Sequence, residues 1–333
     1  MMISDGDLPL IFAGLMGLSI LIYVVLDGFD LGVGLLFPFA DKTEKDRMVA
    51  SIGPFWDANE TWLVLAIGIL LVAFPVAHGA ILTQLYLPVA VMLIGLILRG
   101  VAFEFRAKAP DAHKTTWDWM FFTGSLMTSL SQGFMLGLYV MGLAWTWWHI
   151  GFALVTGVFL TVAYSFIGAT WVIFKTDGLL QSKAIGWAQS GIWGVVLGMG
   201  AVSMATPLVS TRIYDKWFAW PQMLWLSPLP IISAALIILI WATLRHLPLP
   251  GDRRAWVPFV ASIALFGLGF LGMAYSFFPY IVPEAITIYE AASAPESLWI
   301  ILVGVMIVLP IILAYSVLAY VIFRGKATHL SYD

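Results

Sequence analysis

The chain has 333 residues, of which 61% are hydrophobic and only 11% charged, and its mean hydropathy is +0.96. A soluble domain carries about 25% charged residues, so this composition excludes an ordinary water-soluble protein and predicts an all-α integral membrane protein. The net charge of −3 gives no basis for nucleic-acid binding. The absence of cysteine excludes disulfides, thiolate metal sites and cysteine nucleophiles.

A helix needs roughly 20 apolar residues to cross the hydrocarbon core. Nine stretches qualify, in chain order 8–27, 58–77, 84–104, 119–144, 148–174, 185–207, 222–244, 256–281 and 298–323. The first has neither a basic flank before it nor a small-residue cleavage site after it, so it is expected to be a retained span and not a signal peptide. The polar stretch 41–55 between the first two spans is expected to hold a short interfacial helix, and 208–221 is a connection of similar length.

Basic residues concentrate in the odd-numbered connections and the tail: thirteen lie there, against Arg212 and Lys216 on the opposite side, with Arg99 inside a span. The bias predicts an outside N-terminus and a cytoplasmic C-terminus. The third and seventh spans both carry Leu-x-Pro near the start and end in Leu-Arg (LYLPVAVMLIGLILRG and LSPLPIISAALIILIWATLRH). This echo suggests one membrane domain, 1–333, built as two four-helix bundles, 1–144 and 145–282. A peripheral ninth helix and cytoplasmic tail would occupy 283–333.

Five acids adjoin or interrupt the apolar runs: Asp27 and Asp30 in LDGFDLGVG, Asp57 and Glu60 in GPFWDANETW, and Glu104 in LRGVAFEFR. Carboxylates near a bilayer interior are costly unless paired, hydrated or protonated, so they mark ion, proton or ligand sites. The expected topology puts all five toward the cytoplasmic side, at the ends of three consecutive helices. Asp57 follows Gly-Pro closely and also reads as a helix N-cap; capping alone would likewise account for Glu60. Arg99 and Arg106 are the simplest partners for Glu104. Arg99, however, lies about 140° round the helix from Glu104, which suits a carboxylate on another helix, Asp27 or Asp30. Trp62, one turn beyond Asp57, can wall a proton path or merely pack.

Histidines occur only near span ends, at His78, His113, His149 and His246, and in the tail at His329. A bis-histidine haem or a His-based metal site within this chain is therefore not expected. The residues by themselves leave open a proton-coupled transporter using Asp27, Asp57 and Glu104, and a scaffold whose acids only cap and pair.

Four segments in order, LDGFDLGVGLLFPF, GPFWDANETWLV, LYLPVAVMLIGLILRGVAFEFR and SFFPYIVPEAITIYEAASAPESL, resemble subunit II of the cytochrome bd-type quinol oxidases. The short loops are similar to its compact, cyanide-insensitive branch. The resemblance implies an enzyme of the bacterial cytoplasmic (inner) membrane that oxidises membrane quinol and reduces O2 to water with cytoplasmic protons. It places haem b and haem d, or haem b alone, in a haem-bearing subunit I and no haem in this chain; a small single-span subunit often completes the complex. It implies a proton pathway through Asp57, Trp62 and Glu104. A structural quinone in some relatives lies near the region matching Asp30 and Arg99. Asp27 and Glu60 receive no role and are expected to be structural acids.

Overall fold

A computed structural model describes residues 4–327; the predicted tail histidine, His329, lies outside the described residues. Nine helices of 18 residues or more form the body: α1 (Leu8–Leu35), α3 (Trp56–Ala73), α4 (Pro75–Lys108), α5 (Lys114–Val140), α6 (Trp147–Lys175), α7 (Gly178–Val209), α10 (Pro228–His246), α11 (Val257–Phe277) and α13 (Pro295–Ile322). Eight of them are long and apolar enough to cross a membrane. The exception, α5, is long enough but carries the buried polar residues Ser125, Thr128, Ser129 and Ser131. Proline at the first turn starts α4, α10, α11 and α13, where its missing N–H would be unbonded anyway.

Short elements fill the connections. The polar stretch after α1 folds as α2 (Lys42–Ile52), opened by a capping box in which the Asp41 N–H donates to Glu44 Oε2 at 2.8 Å. At the other end of the bundle lie α8 (Thr211–Phe218), α9 (Gln222–Leu226), a small antiparallel pair of β1 (Tyr280–Val282) with β2 (Ile286–Thr287), and α12 (Ile288–Ala291).

Several predicted limits move. The first span continues to Leu35, because Gly28, Gly32 and Gly34 pack inside a continuous helix and do not break it. Asp27 and Asp30 therefore lie within the last third of the helix and are buried, not at its end. The third span begins at Pro75, nine residues before the expected position 84, and the seventh starts only at Pro228, after the separate turn of α9.

Ion pairs show which connections share an end. Lys42 meets Asp111 at 3.0 Å, Arg47 meets Asp177 at 2.7 Å, Lys183 meets Glu44 at 2.8 Å, and Lys326 pairs with Asp252. These contacts gather α2, the α4–α5, α6–α7 and α10–α11 connections and the segment after α13 into one basic end. At the opposite end, the Ser293 hydroxyl and N–H donate to the carbonyls of Val72 and Ala73, and Trp145 Nε1 donates to the Gln84 carbonyl.

Packing centres on α1 and α6, the first helix of each expected half. A β-carbon built on Gly32 would overlap the Tyr164 carbonyl, and one on Gly168 would lie 2.5 Å from the Gly32 carbonyl carbon. The same close approach joins α4 to α5 at Gly95 and Gly124, and α5 to α6 at Gly137 against Ala153. Small residues at such crossings let backbones touch, the arrangement that holds helices together where lipid removes the hydrophobic drive. Toward the basic end, an aromatic cluster stacks Phe29 on Trp171 at 4.3 Å and Phe55 on Tyr320 at 4.4 Å. By contrast, α13 leaves most of its apolar surface exposed.

At the end away from α2, Arg212 donates to Glu284 from both Nε (3.1 Å) and Nη2 (2.9 Å), and the Ser210 hydroxyl donates to the same carboxylate at 2.9 Å. The Arg212 and Ser210 bonds hold the Glu284 carboxyl below the usual carboxylate range.

Two outcomes follow. Gly32→Val forces a side chain into the α6 backbone and should sharply reduce the yield of folded, detergent-extracted protein, whereas Gly186→Ala, which meets nothing within 4 Å, should leave yield and Tm near wild type. Because the folded pKa of Glu284 is depressed, its contribution is present above the ordinary carboxylate pKa and disappears as pH falls through the folded value. The Tm difference between wild type and Glu284→Gln should shrink on moving from about pH 6 to about pH 3; a constant difference would contradict the clasp.

Candidate functional site

The buried acids meet where α1, α3 and α4 converge near the basic end. Arg99, on α4, is 2% exposed and donates from Nη2 to Asp27 Oδ1 at 2.6 Å and also to Glu60. Asp27 is fully buried, while Glu60 retains partial contact with the surface. Asp30, one turn further along α1, is not on Arg99. Its Oδ2 accepts from Asn59 Nδ2 at 2.8 Å, and Asn59 Oδ1 in turn accepts from the Tyr320 hydroxyl of α13 at 3.0 Å. Four helices thus supply one polar cluster.

The cluster is incompletely satisfied from within the chain. Asp27 Oδ2, Asp30 Oδ1, and Arg99 Nε and Nη1 are buried with no hydrogen-bond partner among the described residues. Buried polar atoms are ordinarily paired, so these two acceptors and two donors are a cost the cluster carries within the chain. Charge is also unbalanced: three carboxylates face one guanidinium, and uncompensated charge in a low dielectric is costly.

A second polar string runs from the cluster into the bundle. Tyr23 lies one turn before Asp27 on α1; its hydroxyl accepts from Gln132 Nε2 at 2.7 Å, and Gln132 Oε1 accepts from the Tyr164 hydroxyl at 2.7 Å. The string links α1, α5 and α6 beside the Gly32–Gly168 crossing.

Asp57 and Glu104 occupy a different position. Asp57 is exposed in the first turn of α3; the N-cap is Phe55, so Asp57 is not a cap, and its carboxylate has no bonded partner among the described residues. Glu104 is 53% exposed and approaches only Lys108, at 4.0 Å. The expected pairing of Glu104 with Arg99 or Arg106 is not observed. Arg106, two positions on, points to the opposite side of α4, where it is buried against Asp118 at 2.5 Å and Asp46 at 2.8 Å. The Trp56 ring of α3 packs on Phe103 of α4, with centroids 5.1 Å apart, so the residues next in sequence to this contact are Asp57 on α3 and Glu104 on α4. Trp62 does not share their exposed surface. Five positions from Asp57 is about 140° of helix, and Trp62 is buried with its indole N–H unpartnered.

Sequence reading missed Asn59, Tyr320 and Gln132. Asn59 stands between two noted acids, and Gln132 is an amide inside a span, so both carried a signal; Tyr320, among many aromatics, carried none. Among the described residues the histidines, His78, His113, His149 and His246, all lie at or next to helix ends. No group of three His, Cys, Asp or Glu among the described residues is arranged to hold a metal ion.

A sequence model of the family described as "Cytochrome bd terminal oxidase subunit II" matches residues 8–323. The chain is 28% identical over 330 residues to the cytochrome bd ubiquinol oxidase subunit 2 of Bacillus subtilis (strain 168), covering 92% of this chain and 93% of the relative. It is 27% identical over 376 residues to the cytochrome bd-I ubiquinol oxidase subunit 2 of Escherichia coli (strain K12), covering 98% and 97%. In fold it matches a chain of the bd oxidase from Geobacillus thermodenitrificans, with a TM-score of 0.76, 15% identity, and coverage of 96% of this chain and 100% of that one.

Replacing Arg99 by Leu would strand Asp27 as an uncompensated buried charge, at a cost of about 3–5 kcal/mol. Arg99→Leu should therefore lower the yield of folded protein, and the double variant Arg99→Leu/Asp27→Leu should recover most of it. An unaltered yield for the single variant would show that the pair does not bear on folding.

Proposed function

The chain belongs to the cytochrome bd terminal oxidase subunit II family, and we propose that within its quinol oxidase it is the subunit without redox centres, bracing the haem-bearing subunit I and passing protons to it. As a subunit of an oxidoreductase that couples quinol oxidation to O2 reduction, it is an integral protein of the bacterial cytoplasmic membrane. The haems, b and d or b alone, belong in this reading to subunit I.

The surface of α3 and α4 carries the proposal. It exposes long apolar side chains, among them Val64, Ile97 and Phe105, and at its basic end presents Asp57, with no bonded partner among the described residues, and Glu104, which meets only Lys108, at 4.0 Å. Lipid is a poor neighbour for unneutralised carboxylates. A protein partner that covers the apolar surface and continues a hydrated path past the two acids accounts for both features. With the basic end in the cytoplasm, as the charge bias favours, Asp57 would take up protons and Glu104 would pass them across the subunit seam. Trp62, packed behind Asp57, would hold α3 in place and exclude water from the helix interior.

The Asp27–Arg99–Glu60 and Asp30–Asn59–Tyr320 groups would stabilise this entrance by tying α1, α3, α4 and α13 together. The unpartnered N–H groups of Arg99 also suit the carbonyl of a structural quinone, with Glu60 at the accessible side and Asp30 deeper. A small single-span subunit would find room on the exposed flank of α13. A transporter is disfavoured because these charges lie toward one end of the bundle, whereas a coupling site belongs near the midplane.

Asp57→Asn should lower O2 consumption by the whole oxidase at least about tenfold, less than the roughly 100-fold or more supplied by a group that transfers a proton in the transition state, with haem content per complex unchanged. Glu104→Asp should retain activity where Glu104→Gln loses it. Parallel loss of haem and activity in Asp57→Asn would reduce this chain to a scaffold. Haem bands persisting in this chain purified without its partner would overturn the assignment of the haems to subunit I.

A further inference from the structure

The basic end presents two kinds of surface. Around α2 and the connections it meets, bases are neutralised within the chain, as with Lys42 on Asp111, Arg47 on Asp177 and Lys183 on Glu44. The α10–α11 connection differs. Arg245, Arg253 and Arg254 are exposed, and none has a carboxylate partner among the described residues. The one acid between them, Asp252, is turned inward, its Oδ1 accepting from Gln181 Nε2 at 2.5 Å and its Oδ2 paired with Lys326.

Aromatic residues flank these arginines. The Arg245 guanidinium lies 4.6 Å from the Trp241 ring centroid, and Trp241 and Trp256 are 39% and 52% exposed. Exposed tryptophans at the ends of apolar helices sit at the headgroup level of a bilayer. Beyond them, α10 and α11 expose aliphatic side chains such as Ile238 and Val260. Cationic groups, then indoles, then an aliphatic wall reproduce the polarity order of a phospholipid from headgroup to acyl chain.

We propose that the α10–α11 edge is a binding site for an anionic phospholipid, with the lipid phosphate on Arg245, Arg253 and Arg254 and the acyl chains along α10 and α11. Guanidinium groups present paired N–H donors that match phosphate oxygens. The charge left unneutralised here, at a lipid-facing corner, selects an anionic headgroup over a zwitterionic one.

The test uses the intact oxidase in nanodiscs of phosphatidylcholine doped with phosphatidylglycerol, and measures by native mass spectrometry the phosphatidylglycerol retained after partial delipidation. Each arginine near an anionic surface is worth about fivefold in binding. Arg245→Gln/Arg253→Gln/Arg254→Gln should therefore lose at least about tenfold of the phosphatidylglycerol enrichment, while phosphatidylcholine retention stays unchanged. A control of equal charge loss, Lys42→Gln/Arg47→Gln/Lys183→Gln, should change enrichment by less than about twofold. Equal loss in both variants would replace the site with diffuse attraction, and no loss in the arginine variant would remove it. An acidic protein held by these arginines in place of lipid would also overturn it. Wild-type enrichment that does not fall with rising salt would overturn the proposal independently of how well the variants fold.

Discussion

Helices in lipid gain little by burying apolar surface against each other, since the tails they leave are as apolar as the side chains they meet. The architecture therefore depends on how closely backbones approach, and the closest approach is between α1 and α6 at Gly32 and Gly168. With no β-carbon on either side, the two helices come into backbone contact and many weak dispersion contacts accumulate along the seam. Tyr164 fills the space beside Gly28, and the stacked Phe29–Trp171 pair closes the seam toward the basic end. Every polar group that matters on α1 takes its position from that crossing.

Asp27 and Asp30 show what the rigid seam permits. An ionised carboxylate deep in the bundle would ordinarily drive local rearrangement toward water. Here α1 is fixed on one side by α6, so the acids must be met from the other side, by Arg99 of α4 and Asn59 of α3. The result is a cluster assembled by tertiary packing, whose leftover donors and acceptors are a cost to folding. The surface carboxylates at Asp57 and Glu104 follow different physics: they lie outside the buried cluster, and in the proposed oxidase a partner over the α3–α4 surface would be what meets them.

Much of this was legible in the residues. Each of the nine apolar stretches overlaps a helix of 18 residues or more, and eight of those helices are long and apolar enough to cross a membrane. The placement of basic residues correctly grouped the connections by end, as the Lys42–Asp111 and Arg47–Asp177 pairs demonstrate. Arg99 was expected on a carboxylate of another helix, and Asp27 supplies one. What the sequence hid was tertiary. The first span was ended at 27, where the apolar run meets an acid, because run length does not show that Gly28, Gly32 and Gly34 continue the helix against a neighbour. Glu104 was assigned the wrong cation because sequence proximity ignores helical phase: Arg106 is near in number and on the far side of α4. Trp62 looked like a neighbour of Asp57, yet the same rotation carries it inside.

Tyr320 adds a temporal dimension. Its hydroxyl is the group that fixes the Asn59 amide and, through it, Asp30, yet it belongs to the ninth long helix. During synthesis the first four long helices emerge well before it, so α1, α3 and α4 can meet while Asn59 still lacks this partner. The cluster therefore assembles in two stages, the Asn59–Asp30 bond once α1 and α3 have met and the Tyr320 bond only when translation reaches the ninth helix.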